Sequence, residues 1–322
     1  MSQSANASGP LGVLLMTYGS AGNAAEVPDY LRSVRGGEEP APELVAEFTR
    51  RYELVGWSPL IRITNAQAAA LQQRLDAEAG AGQYLVEAAM LHSEPRVGRV
   101  VERLAGAGAT RLLGVVLSPQ FSPIIMGGYG RALRAAAADA GLDPEAPGRV
   151  LVAGAWHGLP AFLDALAGRV RKALARLPED VPVIFTAHSL PKRVVDQEPG
   201  YIDQLKETAE ALAKRSALDG GRWQFAYQSA GHTPEEWLKP DLKDLLPGLR
   251  TAGHRDVLVV PVQFLADHLE ILYDLDVAAG QEAEAAGIGF NRIELLNTDP
   301  AFIGALAEVV HREEQAAAAP AG

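Results

Sequence analysis

Two stretches decide the fold: GATRLLGVVLSPQFS, residues 108–122, and GHRDVLVVPVQFLA, residues 253–266. Each runs from glycine through a basic residue and an apolar strand to proline, then Gln-Phe. A second echo pairs LLMTYGS (14–20) with VIFTAHS (183–189), apolar strands that end in Thr shortly before Gly or Ser. Strand-like runs fall at 12–16, 84–91, 111–119 and 150–155, and again at 181–188, 223–229 and 256–264. Helical spacing fills the intervals at 27–35, 42–56, 64–80, 97–108, 131–141, 161–177, 201–217, 241–253, 266–287 and 302–315. Near-continuous apolar strands alternating with helices predict parallel sheets covered on both faces, hence an α/β fold of two similar doubly wound domains. In such sheets ligands bind beyond the carboxyl ends of the strands, so Tyr18 and His188 should face a cleft between the domains. The expected limits are a tail at 1–10, domains at 11–155 and 156–300, a C-terminal helix at 301–315 and a tail at 316–322, both tails disordered.

Apolar residues make up 48% of the 322 and charged residues 21%, the balance of a globular enzyme. A net charge of −11 argues against nucleic acid or anionic lipid as the main partner. The absence of cysteine removes disulfides, thiolate nucleophiles and cysteine-ligated zinc or iron–sulfur clusters. No apolar run approaches the ~20 residues that span a bilayer. MSQSANASGP lacks the basic start and apolar core of a signal peptide, so the cytoplasm is the expected compartment; separately, a monomer is expected. No dinucleotide fingerprint, Walker loop or H-E-x-x-H is present.

FLADHLEILYDLD, 264–276, starts at a strand end and continues at helical spacing. Asp267, Glu270 and Asp274 are then expected in one acidic row, which needs cations or protons to offset its self-repulsion. A solvated helix face is the plainer reading of the spacing. The strand-end start and the apolar opposite face of Leu265, Leu269, Leu272 and Tyr273 favour a site. Alone, His188 reads as structural. Paired with Glu270 across a cleft, it suits a borderline divalent metal such as iron and can also accept protons. His268, two positions from Glu270, should point elsewhere and is expected to be structural, as is His92. Tyr18 is either a packed aromatic or a phenol presented to a ligand. A hydrolase using Ser189 is a weak rival, since adjacent residues on a turn diverge and A-H-S-L-P is not a G-x-S-x-G elbow.

Taken in order, LLMTYGS, RYELVGWSPL with ITNAQAAAL, MLHSEP, TAHSLP, YQSAGHTPEEWLKPDLKDLL and PVQFLADHLEILYDLD resemble the ferrochelatase family over roughly residues 11–312. The resemblance implies two Rossmann-like domains around a porphyrin cleft and insertion of Fe²⁺, as a substrate, into a free-base porphyrin. It implies His188 and Glu270 as the metal- and proton-handling pair. Tyr at position 18 resembles the coproporphyrin III branch of Gram-positive-type bacteria and implies an axial phenolate ligand to product iron. Arg35, Arg51, Tyr52, Ser58 and Tyr129 match family positions that hold propionates. Gly36 and Ala278 depart from some relatives' Arg and Glu, which argues against a second, outer hydrated-metal site on Arg51 and Asp274. No prosthetic group and no iron–sulfur cluster are expected. A transient partner is expected in a downstream haem-pathway enzyme. The competing readings are a protoporphyrin IX ferrochelatase, a chelatase for another tetrapyrrole or metal, and a non-catalytic porphyrin carrier.

Overall fold

The computed structural model describes residues 9–231 and 235–318. The expected tails at 1–8 and 319–322 lie outside that range, while 316–318 continue the last helix. The first half contains β1 (Leu11–Thr17), α1 (Val27–Val34), α2 (Pro42–Leu54), α3 (Leu60–Ala79), β2 (Tyr84–Met90), α4 (Val97–Gly106), β3 (Arg111–Val116), α5 (Pro123–Asp139) and β4 (Val150–Val152). Then come α6 (Pro160–Leu174), β5 (Val183–His188), α7 (Lys192–Val195), α8 (Pro199–Arg215), β6 (Trp223–Gln228), α9 (Leu242–Thr251) and β7 (Asp256–Pro261). A π-helix (Glu270–Ala279) running into α10 (Gly280–Ala286), β8 (Gly289–Arg292) and α11 (Pro300–Ala318) complete the chain.

Two four-stranded parallel sheets result, ordered β2-β1-β3-β4 and β6-β5-β7-β8. The second repeats the order of the first, so the echoed stretches occupy equivalent strands. LLMTYGS and VIFTAHS span the ends of β1 and β5, and the Gln-Phe pairs follow the ends of β3 and β7. Alternation along each strand sends side chains to two cores. Val13 and Leu15 join a core shared with Phe185 and Val260 of the other sheet, and α3, α6, α8 and α11 fill it. Leu14 and Met16 face α4 and α5, while Ile184 and Val259 face α9 and the π-helix. The C-terminal helix returns to the first half, where Glu314 bonds Arg111 and the Tyr84 hydroxyl.

Three elements differ from expectation. α5 starts at Pro123 rather than 131, because Ser122 caps it by accepting the Ile125 amide at 3.1 Å and proline sets the first turn. β8 is a four-residue edge strand too short to show a period. The helix expected from 266 begins only at Glu270 and is wound as a π-helix to Ala279, a geometry that helical spacing does not announce.

Of the two echoed glutamines, Gln120 joins the halves and Gln263 ties β5 to α8 within the second. Gln120, fully buried, donates to Thr208 on α8 at 3.0 Å and to the Val262 carbonyl at 3.3 Å. Gln263 donates to the Tyr201 hydroxyl on α8 at 2.7 Å and accepts the His188 amide at 3.1 Å. On the same helix, Gln204 bonds both the amide (2.8 Å) and the carbonyl (3.1 Å) of Phe121. One helix thus straps the wall of the first half to the floor of the second.

Candidate active site

A cleft of about 830 Å³ opens beyond the carboxyl ends of β1, β3, β5 and β7, lined from both halves. That volume lies in the range of small-molecule and cofactor sites.

His188 ends β5. Its Nδ1 lies 2.5 Å from the Ser189 carbonyl, which can only accept, so Nδ1 carries the proton and a neutral ring leaves Nε2 with its lone pair. That Nε2 is 3.8 Å from Glu270 Oε2. His268 repeats the arrangement: Nδ1 donates to the Ala266 carbonyl at 2.9 Å and Nε2 stands 3.8 Å from the same Glu270 oxygen. The expectation that His268 points elsewhere is therefore wrong. It precedes the helix, in coil, where helical angular spacing does not apply. Among the described residues no group of three His, Asp or Glu side chains has the geometry to hold a metal ion.

Burial alone would push the Glu270 carboxyl up; where the facing imidazoles carry charge, that of His188 and then the hydrogen bond and charge of His268 outweigh burial and lower the pKa to about 2. Asp274, one turn on, is raised, chiefly by burial and then by the Glu270 charge, against the opposing pull of Ser229, His188 and Arg51. Asp267 leaves the expected acidic row. Being in coil, it takes a hydrogen bond from Asn297 at 2.8 Å and pairs with Arg292 at 3.4 Å. The row reduces to Glu270 and Asp274, and Ala278 continues it as cleft lining.

Tyr18 stands just past β1, 43% exposed to the cleft, with its ring 4.4 Å from that of His92. The His92 amide donates to the Tyr18 carbonyl at 2.9 Å and its Nδ1 meets Ser33 Oγ at 3.0 Å. Burial, then the Glu270 charge, raises the Tyr18 phenol. Tyr129 also lines the cleft, its phenol raised mainly by burial. Tyr52 lines it with a buried ring stacked on Trp57, but its hydroxyl is committed to Ser20 Oγ (3.0 Å) and the Ala21 amide (3.3 Å). Arg51 lines it too, tied to Glu47 at 2.8 Å. Arg35 and Ser58 lie outside the lining. Arg35 caps α1 and pairs with Glu38 at 3.2 Å, while Ser58 Oγ accepts the Leu60 amide at 3.4 Å.

Sequence reasoning passed over several lining residues. Gln228 is the register partner of His188, and its Oε1 accepts from Thr186 at 2.7 Å. Its Nε2 is buried without a hydrogen-bond partner, and the neighbouring Ser229 takes a left-handed φ of 60°. Gln228, His188 and Gln263 thus stand side by side at three adjacent strand ends. The Gln-Phe echo is the signal for Gln263, and Gln228 falls within the YQSAGH stretch without being singled out there.

The ferrochelatase family profile matches residues 10–314. The chain belongs to the ferrochelatase family. As a ferrochelatase it is a metal chelatase of the lyase class. It is 39% identical to a ferrochelatase of Herpetosiphon aurantiacus over 92% of this chain and 97% of that one. It is 38% identical to a ferrochelatase of Deinococcus radiodurans, over 94% and 96%. A coproporphyrin III ferrochelatase of Halalkalibacterium halodurans is 34% identical over 94% and 97%. Among solved structures, SirB from Bacillus subtilis with Fe³⁺ superimposes with a TM-score of 0.57 at 12% identity, covering 94% of this chain and 95% of that one. CbiX, the terminal enzyme of sirohaem biosynthesis in denitrifying bacteria, gives 0.54 at 15% identity, covering 94% and 98%. At those identities the likeness is one of fold.

Proposed function

We propose that this ferrochelatase inserts Fe²⁺ into coproporphyrin III to give Fe-coproporphyrin III, with His188 and Glu270 as the pair that handles metal and protons. The observation that carries the porphyrin assignment is Tyr18, a half-exposed phenol at the end of β1 on the cleft wall. The relative from Halalkalibacterium halodurans, named for coproporphyrin III, supports the same reading.

The reaction exchanges two pyrrole N–H protons for one Fe²⁺, so the site must accept protons as the ion sheds water and enters. His188 Nε2, with its lone pair directed away from the Ser189 carbonyl, is the first acceptor. The imidazolium so formed is stabilised by the ionised Glu270 carboxylate 3.8 Å away. The raised Asp274 carboxyl, further along the helix, is placed to take the proton onward. Before that exchange the same nitrogen and oxygen lone pairs suit a ferrous ion, a borderline acid. A substrate with four propionates needs donors and cations at the cleft edge. Arg51, Lys243 and the hydroxyls of Tyr30 and Tyr129 are in the lining to supply them. Iron and porphyrin are both substrates in this scheme, which calls for no prosthetic group.

An anaerobic assay of Fe²⁺ insertion into coproporphyrin III and protoporphyrin IX under identical conditions tests the assignment. A higher kcat/KM for coproporphyrin III is expected. Equal values, or a preference for protoporphyrin IX, would overturn it.

A further inference from the structure

Tyr273 sits on the π-helix between Glu270 and Asp274, in the cleft lining. Two arginines of α2, from the other half of the molecule, hold it. The Arg51 guanidinium carbon lies 4.8 Å from the ring centroid and that of Arg50 5.7 Å. Arg50 Nη2 also donates to the Tyr273 hydroxyl at 2.8 Å. Glu47 ties the two arginines together, at 2.9 Å and 2.8 Å, and their hydrogen bonds hold its carboxyl down to about 2. The grip therefore stays charged at any working pH.

The helix being gripped is an unusual one. A π-helix spaces its hydrogen bonds i to i+5 and is rare outside functional sites, so its register needs outside support. Ile271, Leu275 and Ala279 bury one face in the core. Arg292 fixes the far flank through two bonds to Asp276, at 2.7 Å and 2.8 Å. Tyr273 is the anchor on the near flank. A shift of one residue in register turns a helical side chain by about a quarter of a turn. Such a turn would carry the Glu270 carboxylate out of reach of His188.

We propose that Tyr273 is a positioning residue for metal insertion: the Arg50–Arg51 grip on its ring and hydroxyl holds the π-helix in the register that keeps Glu270 facing His188. The inference rests on the reading of His188 and Glu270 as the working pair. Tyr273 itself touches neither reacting atom; it acts through the helix.

The test compares Tyr273→Leu, Tyr273→Phe and Arg50→Ala by steady-state kinetics and by hydrogen exchange of the amides of residues 270–279. Tyr273→Leu should lower kcat about tenfold, since displacements near an ångström cost up to a hundredfold. The KM for porphyrin should stay within about twofold and exchange at 270–279 should rise. Tyr273→Phe keeps the ring beside Arg51 but loses the bond from Arg50, so it should recover most of kcat while exchange at 270–279 stays above the parent's. Arg50→Ala should resemble it. Parental kcat and exchange in Tyr273→Leu would overturn the proposal; should that variant not fold, unchanged exchange in both others would. His188→Ala separates the two ideas. Full activity there removes the pair, while exchange at 270–279 still judges the grip.

Discussion

His188 Nε2 and Glu270 Oε2 face each other at 3.8 Å, although one side chain ends β5 and the other opens a helix reached through the coil that follows β7. Neighbouring parallel strands make this meeting possible. β5 pairs directly with β7, so what leaves their carboxyl ends emerges side by side. A second imidazole, His268, approaches the same oxygen at the same distance. Two imidazoles and one carboxylate are thereby gathered in a cleft that Tyr18 and Tyr129 of the first half also line.

The depressed pKa of Glu270 has a consequence for stability in acid. In the folded protein it is about 2, against 4.5 for the free side chain. A carboxyl so lowered contributes stability above pH 4.5 and loses it as pH falls toward 2. Glu270 is 46% exposed, so solvent screens much of the effect. Denaturant titrations of Glu270→Gln should show a shallower loss of stability between those two pH values than the parent shows. A slope as steep as the parent's would remove Glu270 from the acid response.

Tyr18 should be a neutral phenol in the metal-free protein, because burial and the Glu270 charge both oppose its ionisation. To ligate the iron of added ferric coprohaem, the phenol must release its proton to solvent or a base as the iron–oxygen bond forms. Tyr18→Phe should accordingly change the visible spectrum of bound ferric coprohaem without abolishing its binding. An identical spectrum would rule out the phenolate ligand.

The α8 strap should matter to folding more than to chemistry. Gln204→Ala removes both side-chain bonds to the Phe121 backbone and leaves that amide and carbonyl without these partners. The expected cost is about 1–3 kcal/mol in urea denaturation. A change within experimental error would show that water replaces the amide fully.

Much of this was legible in the chain, and the illegible parts have physical causes. The Gln-Phe and Thr-x-Gly/Ser echoes foretold two sheets of like topology because a strand's apolar run and its terminating residues share one local code. His188 and Tyr18 were readable as strand ends. His268 was misread because helical spacing was applied to residues still in coil, and Asp267 was placed in the acidic row for the same reason. Gln228 lies in the quoted YQSAGH stretch, but its place beside His188 emerges only from the register of β5 and β6. Arg35 and Ser58 were carried over by resemblance. In the structure their side chains pair locally with Glu38 and Leu60, outside the cleft lining.

The most direct test of the His188–Glu270 pair is single-turnover Fe²⁺ insertion by His188→Ala, measured anaerobically alongside porphyrin binding by fluorescence. With the first proton acceptor gone and the cleft walls intact, coproporphyrin III should bind within a few-fold of the parent. Insertion should slow on the order of 10²–10⁴-fold. Insertion at the parental rate with binding preserved would contradict the account.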